Sequence, residues 1–126
     1  MTKIIGFILV IIVIIAGGLM LVSGKDDTNQ QNLAAPTTDE YYWSTTCPHC
    51  AEVNEFLEEW KHSDKLEIQK YETGDTQNAL RLQARAASCN IPRTQVGVPL
   101  LYTTEEKCLI GSEPIISYFK SKFEDE

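Results

Sequence analysis

Two cysteines in the run Cys47-Pro48-His49-Cys50 carry the densest chemistry in this chain. A thiolate is both a nucleophile and a metal ligand. Thiols three residues apart on a helix lie about one turn apart, so they can close into a small disulfide ring. They could equally form a structural bridge or supply half of a zinc site. The residues between them favour redox chemistry. Pro48 suits the first helical position, where its missing N–H costs nothing. A helix start offers unpaired N–H groups and about half a positive charge, and both favour a thiolate at Cys47. His49, when protonated, adds positive charge beside it.

A cysteine held at a helix start needs a strand to deliver it. Tyr41 to Ser44 reads as that strand, and Pro48 to about His62 as the helix. The helix has an apolar line of Cys50, Val53, Leu57 and Trp60, while Glu52, Glu55, Glu58 and Glu59 face water. This phase turns Cys50 inward and leaves Cys47 at the rim. Leu66 and Ile68 alternate with Glu67 and Gln69, which predicts a second strand with one buried face. Asp75 can cap a second helix running to about Ser88, with Ala79, Leu80, Ala84 and Ala87 on its buried side. A third strand is expected over 98–102, a turn over 103–106, and a fourth strand at Cys108-Leu109-Ile110, ended by Gly111. Pro114 opens a last helix with Ile115, Ile116, Phe119 and Phe123 on one side. The fold class is α/β, β-α-β-α-β-β-α, with a four-stranded mixed sheet. Its first two strands are parallel and its last two form a hairpin.

This domain occupies only part of the 126 residues. Ile4 to Val22 is an uncharged run of about nineteen residues, close to what a bilayer-spanning helix needs. It predicts a transmembrane anchor over 1–24, a polar linker over 25–38 and the domain over 39–126. Lys3 and the amino terminus precede the run and no positive excess follows it, so the N-terminus is expected in the cytoplasm and the domain outside. The rival reading is a cleaved signal peptide with a secreted domain. Either way the compartment permits disulfides. All 18 acidic residues lie beyond the anchor, against 10 of the 11 basic ones, which argues against nucleic acid and anionic lipid as partners.

Cys89 and Cys108 could be inert thiols, a second disulfide or metal ligands. Topology bears on the choice. The second helix starts at the end of the sheet that carries Cys47 and runs away from it, leaving Cys89 at the far end. The third strand also runs away from that end, and Cys108 follows its hairpin turn. Both thiols therefore lie at one pole, where they can pair if their Cα atoms approach within about 7 Å. The non-redox alternative is a zinc or copper module built on Cys47 and Cys50, with His49 or the other cysteines. Structural zinc prefers two closely spaced ligand pairs, and Cys89 and Cys108 are nineteen apart. His62 suits a helix C-terminus, and Trp43, Trp60, Phe119 and Phe123 are most simply core.

With C-x-x-C between a strand and a helix, and Val98-Pro99 about fifty residues later, the part from Asp39 to Phe123 resembles the thioredoxin superfamily. Its compact order of elements is similar to glutaredoxins, and its Pro-His dipeptide to DsbA-type disulfide oxidants. The resemblance implies a cis peptide before Pro99, packed against the active-site disulfide, rather than an ordinary trans proline at a strand edge. It implies Cys47 and Cys50 as catalytic residues, supported by Pro48, His49, Val98 and Pro99. The activity implied is thiol–disulfide exchange with protein thiols and disulfides, in a direction left open, with a membrane redox partner to reset the site and no cofactor. Departures are visible. Tyr41 stands where thioredoxins bury an acid, Gly111-Ser112-Glu113 only partly matches the glutathione-holding run of glutaredoxins, and the helical insertion of DsbA-type enzymes is missing.

Overall fold

Side chains of a strand alternate between the two faces of its sheet, so a strand with large buried groups at consecutive positions must be covered on both sides. Tyr41 and Tyr42 are both fully buried. They belong to β1 (Asp39–Trp43), an inner strand of the computed structural model, which describes residues 33–124. The expected span Ile4 to Val22 and most of the linker lie outside the described residues. Among those described, no helix is long and apolar enough to cross a membrane.

The described residues form an α/β unit with three α-helices and a four-stranded mixed sheet. After β1 come α1 (Pro48–Glu59), β2 (Ile68–Glu72), α2 (Thr76–Ser88), β3 (Leu100–Tyr102), β4 (Cys108–Ile110) and α3 (Ser112–Ser121). The sheet order is β2-β1-β3-β4, with β1 and β2 parallel and the other two pairs antiparallel. On one face Tyr41 and Leu101 pack with Val53 and Leu57 of α1 and Ile115 and Phe119 of α3. On the other, Tyr42, Leu100 and Tyr102 pack with Leu82 and Ala86 of α2.

Element boundaries differ from the sequence reading where pairing or side-chain demands intervene. β1 starts at Asp39 rather than Tyr41, because both of its acidic residues find partners. β2 starts at Ile68 rather than Leu66, since Leu66 still closes a 3₁₀ turn and the parallel register begins at Asp39↔Ile68. As an edge strand it has no fully buried residue, not the one buried face expected. α1 stops at Glu59 because Trp60 turns to extended backbone, and its ring packs on Phe56 and Phe123. β3 starts at Leu100 rather than Val98, as Pro99 has no N–H to give a ladder.

The buried side of α2 is also different. Leu82, Arg85 and Ala86 are buried, whereas Leu80 is 48% exposed and Ala87 is exposed. An inward arginine breaks an apolar pattern, so the helix phase could not be read from apolar spacing. Asp75 caps α2 as expected, accepting from the N–H groups of Gln77 and Asn78 at 2.8 and 3.0 Å. Asn90, in the left-handed region at φ 58°, ends it, and the Ile91 N–H returns to the Ala86 carbonyl.

Arg85 faces Glu40. Its Nε donates to Glu40 Oε2 at 2.7 Å and its Nη2 to Oε1 at 3.0 Å, while the Tyr42 hydroxyl donates to Oε2 at 2.7 Å. Burial opposes the charge on Glu40, but the bonds from Arg85 and Tyr42 and the charges of Arg85 and Arg81 outweigh it. Its carboxyl is held below the ordinary value. Arg85 Nη2 also reaches the Ala34 carbonyl at 2.9 Å, seating the chain just before β1. Asp39, fully buried on the opposite face, accepts from Lys122 Nζ at 2.6 Å, the Thr104 N–H at 2.9 Å and the Tyr118 hydroxyl at 3.2 Å. Both clusters lie where β1 begins, at the pole away from Cys47.

Candidate functional site

β1 ends at Trp43, and a turn held by the Cys47 N–H to the Ser44 carbonyl carries the chain to α1. Cys47 is the N-cap of that helix, with extended backbone at φ −102° and ψ 114°. Pro48 follows at the helix start. Cys47 and Cys50 form a disulfide with Cα atoms 5.2 Å apart. Cys50 is fully buried in the phase set by Val53 and Leu57, whereas Cys47 is half-buried, as the helical spacing requires. The Cys50 N–H donates to Cys47 Sγ at 3.1 Å. Once the bridge is opened, that donor and the helix start would both favour a Cys47 thiolate.

Val98 and Pro99 arrive from the far side of the sequence. The antiparallel register Tyr42↔Leu100 sets Pro99 level with Trp43, next to the end of β1. The Val98–Pro99 peptide is cis, Pro99 is buried, and the Gly111 N–H holds the Pro99 carbonyl at 3.0 Å. The Val98 carbonyl oxygen lies 3.5 Å from Cys47 Sγ. A Cβ added at Gly97 would meet nothing within 4 Å, so this rim is open. Cys47, Pro48, Cys50, Val98 and Pro99 are thus brought together.

His49 sits on the outer surface of α1, 70% exposed, with Nδ1 3.3 Å from Glu52 Oε1. The other oxygen of Glu52 accepts from the Ser112 hydroxyl, at the first position of α3. The Ser112 and His49 contacts hold the Glu52 carboxyl below the usual carboxylate range. Sequence reasoning placed Glu52 only in water. The i,i+3 spacing from His49 was the available signal, but Ser112 is 60 residues away and gave none.

Tyr41, at the position where an acid was missed, is fully buried, and its hydroxyl donates to the Cys50 carbonyl at 3.4 Å. Burial pushes this phenol far above its ordinary value, so it stays protonated at physiological pH and is no base for the Cys50 thiol.

Cys89 and Cys108 lie away from this group. They form a second disulfide, with Cα atoms 6.2 Å apart, joining the end of α2 to β4. All four cysteines are therefore paired, and among the described residues no three His, Cys, Asp or Glu side chains are grouped to hold a metal ion. No family model matches the sequence, and no curated protein or solved structure matches it.

Proposed function

We propose that this chain is a thioredoxin-like thiol–disulfide oxidoreductase, held by Ile4 to Val22 at the outer face of a membrane. The observation that carries the reading is the disulfide at the N-cap of α1, with a half-buried sulfur that accepts a backbone N–H and a buried sulfur behind it. A merely structural bridge does not require its outer sulfur at a helix start with an exposed rim.

In the reducing direction the Cys47 thiolate attacks one sulfur of a substrate disulfide. The Cys47–substrate bond forms, the substrate S–S bond breaks, and the departing thiolate takes a proton. Cys50, losing its proton, then attacks Cys47 Sγ and releases the second substrate thiolate, which is protonated in turn. Two electrons and two protons pass to the substrate, and Cys47–Cys50 ends oxidised. As an oxidant the steps reverse. The direction is set by the potential of the pair against that of its partner. Val98, whose carbonyl oxygen lies 3.5 Å from Cys47 Sγ, lines the approach to Cys47, the side from which an extended substrate segment would present its sulfur. Protein thiols or disulfides are the substrates, and a membrane redox protein resets the pair.

The test is to express the full chain with Cys50→Ser and quench with acid. Mixed disulfides on Cys47, removed by reductant and missing in the Cys47→Ser, Cys50→Ser double variant, are expected. A Cys50→Ser chain that captures no partner thiol, while unmutated protein fails to equilibrate with glutathione, would sink the proposal.

A further inference from the structure

Glu52 is bound from two sides, and the pairing is not the ordinary one of a solvated helix face. An exposed His–Glu pair at i,i+3 contributes little, because both side chains lose freedom to form it. Here the carboxylate has a second partner on another helix. The Ser112 hydroxyl donates to Oε2, and Ser112 opens a helix whose N-cap, Gly111, has no side chain to offer the first-turn N–H groups. A carboxylate brought by the neighbouring helix to that positive end is favoured there. Its remaining oxygen, Oε1, faces His49 Nδ1 at 3.3 Å. His49 itself lies between the two cysteines in sequence, on the outer surface of α1.

We infer that Glu52, in contact with Ser112 at the start of α3, is a positioning residue for His49, holding a proton on Nδ1 so that Nε2 is the nitrogen left to exchange protons at the start of α1. The inference rests on the redox reading above for its purpose, but not for its geometry. An acceptor-only carboxylate beside Nδ1 selects the tautomer with hydrogen on Nδ1, so the neutral ring keeps its lone pair on Nε2. That exposed nitrogen can take the proton released when a thiol at the ring becomes a thiolate. It can return the proton to a departing thiolate. Tyr41, buried and protonated, offers no such exchange. When the ring holds both protons, the same contact becomes charge-assisted and keeps the positive charge in the first turn of α1.

The test uses the full chain in detergent micelles, reduced, with nitrogen-15 shifts of the two histidines and His49→Ala to assign them. Wild type is expected to show the Nδ1–H tautomer at His49 at alkaline pH. Glu52→Ala should return it to the Nε2–H form that free imidazole prefers, Glu52→Gln should retain Nδ1–H through its amide oxygen, and Ser112→Ala should give a mixture. Alkylation of Cys47 at neutral pH is expected to slow by about two- to five-fold in Glu52→Ala, with the effect vanishing in the His49→Ala background. If Glu52 only capped α3, Glu52→Ala would lower the denaturation midpoint without moving the tautomer, and that result overturns the inference. An Nε2–H tautomer in wild type overturns it too, as does an equal alkylation effect with and without His49. Failure of the mixed-disulfide experiment would remove the redox reading while leaving the tautomer result standing, so the two failures are distinguishable.

Discussion

Cys47–Cys50 joins residues three apart at the start of α1, and Cys89–Cys108 joins residues nineteen apart between the end of α2 and β4. Cys47 is an N-cap, and its sulfur receives a backbone N–H. Cys89 is a C-cap, at the negative end of a helix. Its sulfur lies 4.0 Å from the Glu106 carbonyl oxygen, and that of Cys108 lies 3.8 Å from the Arg85 carbonyl. Cys47 Sγ also has a carbonyl nearby, that of Val98 at 3.5 Å, so what separates the two poles is the N–H donor and the end of the helix at which each cysteine sits. On the proposed redox reading, the bond at the helix start is the one that exchanges and the bond at the helix end is the one that persists. The surroundings agree with this division. Around Cys47 the flanking Pro48 and His49 are exposed, while the other pole holds the buried carboxylates of Asp39 and Glu40 with all their partners.

The largest effect should separate the poles outright. Cys47→Ser is expected to abolish disulfide exchange, whereas the paired change Cys89→Ser, Cys108→Ser should leave the exchange rate per folded molecule unchanged. Insulin-disulfide reduction and glutathione equilibration measure both. Loss of exchange in the second variant at full folding would erase the contrast.

Next in size is the ion pair at the quiet pole. Arg85→Met removes the bidentate partner of buried Glu40 but leaves Arg81 at 3.3 Å and the Tyr42 hydroxyl, so its cost falls at the lower end of about 3–5 kcal/mol of stability. The acid limb sharpens the point. The folded-state value of Glu40 is depressed, so its contribution is fully present above the unfolded carboxylate value, about 4.3. It fades as pH falls through the lower, folded value. Denaturant midpoints measured from neutral pH downward should show that limb in wild type and a weaker or inverted one in Arg85→Met.

Opening the second disulfide alone should lower stability by about 3 kcal/mol, the chain-entropy value for a loop of this size. The short Cys47–Cys50 loop restrains the unfolded chain less, so its reduction should cost roughly half as much on the same model. Unfolding of the two singly bridged forms in denaturant checks the ranking. The smallest effect is at the α2 start, where Asp75→Ala removes a cap worth about 1 kcal/mol and leaves both disulfides in place.

Much of the domain is written in local pattern. The order of strands and helices follows from alternation and helical spacing, both of which depend on neighbours a few residues away. The inward turn of Cys50, the outward place of Cys47 and the Asp75 cap follow for the same reason. Topology alone also put Cys89 and Cys108 at one pole, but only the folded chain brings their Cα atoms to 6.2 Å. Other features depend on partners distant in sequence. Apolar spacing misplaces the phase of α2 because its buried side includes Arg85, whose partner Glu40 lies 45 residues earlier. Helical spacing alone makes Glu52 a solvated acid, because Ser112 reaches it from 60 residues later. A helix or a cap is selected by contacts within a turn of itself. A buried charge or a positioned carboxylate is selected by a partner that exists only once the sheet has brought distant elements together, and that is why the tertiary structure had to decide it.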